Sequence, residues 1–90
     1  MSAPKRDAHH KGRLRWRCRR GMKELDVLFE RFIERGFDAL GVVELEPLAL
    51  LLEQPDQDIY AWLTAKVEPE EPQLRLIVRK IRADVGLAAR

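Results

Sequence analysis

The sequence predicts an all-α protein that folds as a single compact five-helix bundle. Hydrophobic residues recur at intervals of three and four along most of the chain, which is the spacing of a helix with one buried face. They make up 46% of the chain and charged residues 36%, as expected for helices with a charged outer face. Ninety residues supply one core. We assign residues 13–86 to the helical domain and residues 1–12 and 87–90 to terminal tails.

The first two predicted helices share one apolar stripe, which Gly21 interrupts. We predict the first helix over about 12–19 and the second over about 22–35, with Gly36 as its C-terminal cap and Phe37 folded back onto it. Gly21 then marks a corner between them. The stripe consists of Leu14, Cys18, Met22, Leu25, Phe29 and Phe32.

Three further helices complete the predicted bundle. The third covers about 44–53, with Pro47 acceptable only in its first turn. The fourth follows a turn at Pro55, with Asp56 as its cap and Asp58 at its positive end. The fifth stops at Gly86. The expected core residues of these helices are Leu45, Leu48, Leu51, Leu52, Ile59, Tyr60, Trp62, Leu63, Leu74, Ile77, Val78, Ile81 and Val85.

Charge is strongly segregated along the chain. The net charge is +7 over residues 1–20, −9 over 21–72 and +4 over 73–90. Such blocks either steer an oppositely charged partner or pair with one another inside the fold. The single cysteine excludes an intramolecular disulfide and favours a reducing compartment. With no apolar run of about 20 residues and no secretory signal, we expect a cytoplasmic protein.

No group of residues indicates catalysis or metal binding. Arginines around Cys18 favour a reactive thiolate, but its place on the apolar stripe favours a buried, inert thiol. His9 and His10 lack further ligands at zinc spacing. We therefore expect a protein that is not an enzyme and that acts by presenting a surface to a partner.

Two interpretations apply to the basic segment around Trp16. Arginines neutralise phosphates and an indole stacks on bases, which favours a nucleic-acid interface. The commoner outcome is that the tryptophan belongs to the core and the arginines are solvated. We favour a protein partner over nucleic acid, because the acidic middle of the chain offsets the basic field.

Arg20-Gly21-Met22-Lys23-Glu24 is the segment best suited to a binding role. A glycine at a helix corner lets another backbone approach, and the flanking guanidinium and carboxylate can make directional hydrogen bonds to a partner. Capping with an internal Arg20 to Glu24 pair is the simpler explanation of the spacing alone. The binding interpretation requires that this corner faces outward.

Two segments resemble landmarks of the succinate dehydrogenase assembly factor 2 family, called SdhE or YgfY in bacteria. The RGxxE signature is Arg20-Gly21-Met22-Lys23-Glu24, preceded by Trp16-Arg17-Cys18-Arg19. The LLE, DxD and WL segment corresponds to Leu51-Leu52-Glu53, Asp56-Gln57-Asp58 and Trp62-Leu63. The resemblance covers about residues 13–85. Gly41-Val42-Val43-Glu44 departs from the Ser-Asp type helix start that is frequent there.

The resemblance implies a five-helix bundle that docks on the flavoprotein subunit of succinate dehydrogenase or fumarate reductase and promotes covalent attachment of FAD to that client. It implies a factor that holds no FAD stably and binds its client as a monomer. The lack of an extended presequence favours the bacterial type. The alternative is a small regulatory binding module of antitoxin type, acting on a protein or nucleic acid. The partner-binding residues that we assign are Arg20, Gly21, Glu24, Trp16, Arg19, Asp56 and Asp58.

Overall fold

A computed structural model describes residues 11–65 and 67–86, which contain five α-helices and no strand. This confirms the predicted all-α bundle. The predicted tail residues 1–10 and 87–90, with His9 and His10, lie outside the described residues. The helices are α1 (residues 11–17), α2 (Lys23–Phe32), α3 (Val42–Leu52), α4 (Asp56–Leu63) and α5 (Pro72–Asp84), and a π-helical turn, Ile33–Phe37, extends α2. Residue 11, which we assigned to the tail, and residue 12, the predicted start of the first helix, both belong to α1.

One hydrophobic core lies at the centre of the bundle. Among α2 to α5, the most extensive helix contact joins α3 and α5, and α4 packs against both α2 and α5. No polar or charged residue is buried among those that the structure describes. None of the helices in the same residues is both long and apolar enough to cross a membrane. The core residues are Leu14, Cys18, Leu25, Phe29, Phe32, Phe37, Leu40, Leu45, Leu48, Leu51, Leu52, Ile59, Leu63, Leu74, Ile77, Val78, Ile81 and Val85.

The end of the second helix differs from the prediction, and the cap at Gly36 is wrong. After Phe32 the backbone widens into the π-helical turn, and Gly36 is buried within it. The carboxylate of Asp84 on α5 packs where a Cβ at Gly36 would lie, so the glycine permits a close helix contact instead of ending a helix. Phe37 does fold back, because its ring is buried and meets Phe32 edge-on at 6.0 Å between centroids.

The third helix begins earlier than expected. The backbone N–H of Gly41 donates to Glu44 Oε1 at 2.8 Å, which satisfies a donor at the helix start and lets α3 begin at Val42. Pro47 consequently lies in the second turn, so its predicted place in the first turn is wrong. Its ring is buried in the bundle.

The last two helices follow the prediction more closely. All four expected apolar residues of the fourth helix fall inside α4. The fifth helix begins with Pro72, at a position where a missing N–H costs nothing. Glu71 caps it by accepting from the N–H of Gln73 at 2.7 Å. It ends before Gly86, as predicted, with the N–H of Gly86 bonded to the carbonyl of Ala83 at 3.3 Å.

Candidate partner-binding site

The corner between α1 and α2 is a sharp backbone turn at Gly21. The last turn of α1 closes with the N–H of Arg19 bonded to the carbonyl of Trp16 at 3.2 Å. Gly21 then adopts a φ of +93°, in the left-handed region that side chains other than glycine's disfavour. A Cβ added there would meet no atom within 4 Å. The corner is therefore open to solvent, as the binding interpretation requires.

Asp26 holds this corner from the first turns of α2. Its Oδ1 accepts the backbone N–H of Arg20 at 2.8 Å, and its Oδ2 accepts that of Gly21 at 3.1 Å. The two oxygens thus satisfy the donors that the turn leaves without helix partners. This role was not predicted from the sequence. Its only signal there is a carboxylate a few residues past a corner glycine, which the general preference for anions at helix starts explains equally well.

The Arg20 guanidinium points into the fold, so the expectation that it faces outward beside Gly21 is wrong. Its side chain is only 15% exposed. Nη1 donates to the carbonyl of Leu52 at 2.7 Å and Nη2 to that of Gln54 at 3.0 Å. These carbonyls lie at and just past the C-terminus of α3, where a cation is favoured. We call the set of hydrogen bonds from this guanidinium, including the one to Asp56 below, the Arg20 clamp.

Asp56 completes the Arg20 clamp, and Glu24 does not take part in it. Arg20 Nε donates to Asp56 Oδ1 at 2.8 Å, so the suggested internal pair with Glu24 is replaced by a pair with a residue of another helix. The prediction that Asp56 caps α4 is also wrong. It is the first residue of α4, Pro55 precedes it as the N-cap, and its carboxylate pairs with the arginine. Asp58 lies in the same first turn and is exposed.

The outer side of the corner carries exposed residues that we assigned to partner binding from the sequence. Trp16 is 71% exposed, so its interpretation as a core residue is wrong. Leu14 on α1 and Cys18, directly after its last residue, are both buried, and a residue midway between them points away from the core. The Arg19 guanidinium lies over the indole at 5.7 Å from its centroid. Glu24 is exposed and forms no hydrogen bond within the described residues.

A cleft of about 370 Å³ opens between α1 and α2 beside this corner. It was not predicted from the sequence, because a groove between helices depends on their crossing. Asp26 belongs both to the cleft and to the corner, so the two are continuous. The lining residues are Gly12, Arg15, Trp16, Cys18, Arg19, Asp26, Phe29, Glu30 and Ile33.

Cys18 forms part of the cleft floor as a buried, inert thiol, as predicted. It is 1% exposed. Burial raises its pKa from the ordinary 9.0 to about 12, outweighing the opposite effects of the positive charges on Arg20, Arg17 and Arg15. A thiol that stays protonated at neutral pH is a poor nucleophile. Within the described part of the chain, no three His, Cys, Asp or Glu side chains converge on a possible metal position.

The outward glycine and glutamate of the corner are two of the residues that carried the family resemblance. A sequence profile of the family described as Sdh5, flavinator of succinate dehydrogenase, matches residues 12–85. The chain belongs to this family. The match extends from the first turn of α1 to the end of α5, so it includes the corner, the Arg20 clamp and the cleft.

Individual relatives agree with the assignment to the Sdh5 family. The FAD assembly factor SdhE of Coxiella burnetii is 49% identical over 70 residues, covering 78% of this chain and 85% of the relative. The protein of the same name from Legionella pneumophila (strain Paris) is 42% identical over 71 residues, with 79% and 90% covered. That from Vibrio cholerae is 42% identical over 76 residues, with 84% and 88% covered.

Proposed function

We propose that this protein is a flavinylation chaperone, which binds the flavoprotein subunit of succinate dehydrogenase or fumarate reductase and promotes covalent attachment of FAD to it. Membership of the Sdh5 family and the names of the relatives support the proposal. The structural observation that carries it is the α1–α2 corner, where Gly21 and Glu24 face outward on a backbone held from behind by Asp26 and Arg20.

The assigned binding residues divide into two roles. Gly21 permits close approach of the client backbone, and Glu24 offers a carboxylate that no described residue uses. Trp16 and Arg19 extend this outer surface, and Asp58, exposed in the first turn of α4, is assigned to client contact as well. Arg20 and Asp56 are positioning residues, because their charged groups face each other and the end of α3. They act on the client through the corner that they hold.

Docking alone is sufficient for this activity. A factor that binds an assembly conformer of the client more tightly than the finished protein shifts the client toward that conformer and dissociates afterwards. The covalent bond to the flavin forms on the client, and the factor supplies no catalytic group. The buried thiol of Cys18, with its pKa of about 12, agrees with this role because it is not available as a nucleophile.

We extend the proposal to the oligomeric state, the compartment and the ligands of the factor. It acts as a monomer on one client in the bacterial cytoplasm, keeps no flavin of its own and uses no nucleic acid. Sedimentation velocity of the mixture should give a one-to-one complex. Equilibrium dialysis of the factor alone against FAD should show no retained flavin. Retention at micromolar FAD would contradict the proposal that the factor keeps no flavin of its own.

The decisive experiment reconstitutes flavinylation from purified apo-flavoprotein, FAD and limiting factor. In-gel fluorescence of the denatured client measures the covalently bound flavin. Glu24→Ala should weaken client affinity about tenfold, which corresponds to the loss of one charge-assisted hydrogen bond. Glu46→Ala is the matched control, because Glu46 is an exposed glutamate in the first half of α3. A yield with the wild-type factor no higher than without it would refute the proposal.

A further inference from the structure

The α1–α2 cleft has the dimensions and the floor of a site for an inserted side chain. Its volume of about 370 Å³ lies at the lower end of the range for small-molecule pockets. Phe29 and Cys18 are each 1% exposed and Ile33 is partly buried, so the floor is apolar. Trp16 forms part of the wall and is largely exposed, which leaves one face of an indole for contact with a large apolar group.

The α1 wall of the cleft is positively charged. Arg15 and Arg19 are exposed on one wall, and neither forms an ion pair with any residue that the structure describes. On the other wall, both carboxylate oxygens of Asp26 already accept backbone N–H groups of the corner. Glu30 is the second carboxylate of the lining, so the positive charge of the cleft is confined to its α1 wall. The exposed side chains of Arg13 and Arg17 on α1 add to the positive field.

We infer that this cleft receives an acidic segment of the client flavoprotein, with one large apolar side chain inserted against Phe29 and Trp16 and neighbouring carboxylates bonded to Arg15 and Arg19. The inference rests on the proposed function and adds the chemistry of the client segment. Guanidinium groups bind carboxylates with two parallel hydrogen bonds, and an inserted apolar side chain in a desolvated pocket is the usual anchor of an interface. Continuity with the corner through Asp26 lets one client occupy both.

The cleft can be probed with a photoreactive group on a single engineered thiol. Cys18 is the only cysteine and is buried, so it leaves a maleimide reagent free for a new site. Gly12→Cys places benzophenone-maleimide at the cleft, where a Cβ has open space. Lys23→Cys places it at the corner beside Glu24 as a reporter of docking. Ala83→Cys on α5 is the control, since it is exposed and lies outside the cleft lining.

Illumination of the client complex and mass spectrometry of the cross-linked peptides give the result. From position 12 we expect a client peptide with at least two Asp or Glu residues beside a large apolar residue, and from position 83 no client peptide. Labelling from position 23 without labelling from position 12 would overturn the inference and leave the proposed function standing. A cross-link from position 12 to a basic client segment, to residues 1–10 or to a second copy would also overturn it. Labelling from neither site would refute client docking at the corner, and the inference with it.

Charge reversal tests the acidic character of the client segment independently. Arg15→Glu and Arg19→Glu should each raise the dissociation constant for the client about tenfold at low salt, with a smaller effect at high salt, as for a screened charge contact. Arg79→Glu, on the exposed face of α5, should change it less than twofold. Equal effects of all three substitutions would mean that only net charge matters, and would contradict a specific acidic occupant of the cleft.

Discussion

Arg20 Nε lies 2.8 Å from Asp56 Oδ1, and this ion pair joins the α1–α2 corner to the start of α4. The same guanidinium donates to the backbone carbonyls of Leu52 and Gln54. One side chain therefore fixes the corner, the end of α3 and the beginning of α4 relative to one another. A planar fork with several donors can reach these acceptors together, whereas a lysine ammonium would reach only some of them.

Replacement of Arg20 should destabilise the fold. Arg20→Ala leaves two helix-end carbonyls and the Asp56 carboxylate without their partner, and we expect the free energy of unfolding to fall by about 2–3 kcal/mol. The free energy of unfolding of Arg20→Lys should lie between those of Arg20→Ala and the wild type. Urea denaturation followed by circular dichroism measures the change. Arg17→Ala, at an exposed arginine near the end of α1, is the matched control and should be within about 0.5 kcal/mol of the wild type.

A double-mutant cycle isolates the contribution of Asp56. If the ion pair couples the two residues, the destabilisation in Arg20→Ala/Asp56→Ala should be smaller than the sum of the two single effects by about 1 kcal/mol. Additive effects would contradict the pairing seen here. The pair is partly accessible, with side chains 15% and 34% exposed, which keeps the expected coupling below that of a fully buried pair.

Substitution of Gly21 should cost stability through backbone strain alone. With φ at +93° and no atom within 4 Å of the position that a Cβ would take, Gly21→Ala should lower the free energy of unfolding by about 1–2 kcal/mol without a clash. Gly12→Ala provides a control of opposite sign. Gly12 lies within α1 in open space, so alanine there should stabilise the helix by up to about 1 kcal/mol. Thermal unfolding of both variants measures these changes in stability. Changes of the same sign for Gly21→Ala and Gly12→Ala would contradict the strain at Gly21.

Gly36→Ala should be more damaging, because the new methyl group would collide with the Asp84 carboxylate on α5. We expect a loss of about 2–3 kcal/mol, as for other overpacked sites. Asp84→Ala removes the colliding carboxylate, but it leaves a Cβ at 3.1 Å and also breaks the ion pair with Lys80. The double variant Gly36→Ala/Asp84→Ala should therefore recover only part of the lost free energy of unfolding. Denaturation of both single variants and the double variant tests the coupling. The absence of any recovery would show that the collision is not the cause.

The helices were predictable from the sequence because buried residues recur at a regular, short spacing within each of them. Leu14 and Cys18, in and directly after α1, belong to such a stripe, as do Ile77 and Val78 on α5, and its spacing can be recognised without knowing the partner helices. All five helices were predicted for this reason. The exposure of Trp16 excludes the core position, one of the two that the sequence left open for it, and the same periodicity, applied strictly to α1, places it opposite the buried face.

The contacts that build the candidate site depend on distant residues, and these the sequence did not reveal. Arg20 pairs with a residue 36 positions later and with a carbonyl 32 positions later. Gly36 is required by Asp84, on the last helix. A residue type and its neighbours indicate that an arginine needs acceptors or that a glycine marks a special position. They do not indicate which distant element supplies the partner, because that depends on how the helices cross.

Cys18 should make stability fall at high pH. The folded protein holds the thiol proton up to a pKa of about 12, whereas the unfolded chain releases it near the ordinary 9.0, so the unfolded state binds fewer protons between these values. Stability is then unaffected by this group below pH 9 and decreases as pH rises toward 12, by at most about 1.4 kcal/mol per pH unit. Urea denaturation from pH 8 to 11 should show a weaker pH dependence for Cys18→Ala than for the wild type. Parallel profiles would contradict the raised pKa.

Arg20 and Glu24 belong to one sequence motif, but their substitutions should impair flavinylation for different reasons. Loss of the Arg20 clamp moves the corner, so Arg20→Ala should lose flavinylation together with stability and recover part of its activity when the assay is cooled or when a stabilising osmolyte is added. Glu24→Ala removes an exposed carboxylate and should keep the wild-type unfolding curve at every temperature while its flavinylation yield stays low. Measuring unfolding and covalent flavin in parallel at two temperatures distinguishes loss of stability from loss of client contact. Activity of Arg20→Ala that stays low in a fully folded sample would mean that the guanidinium contacts the client directly.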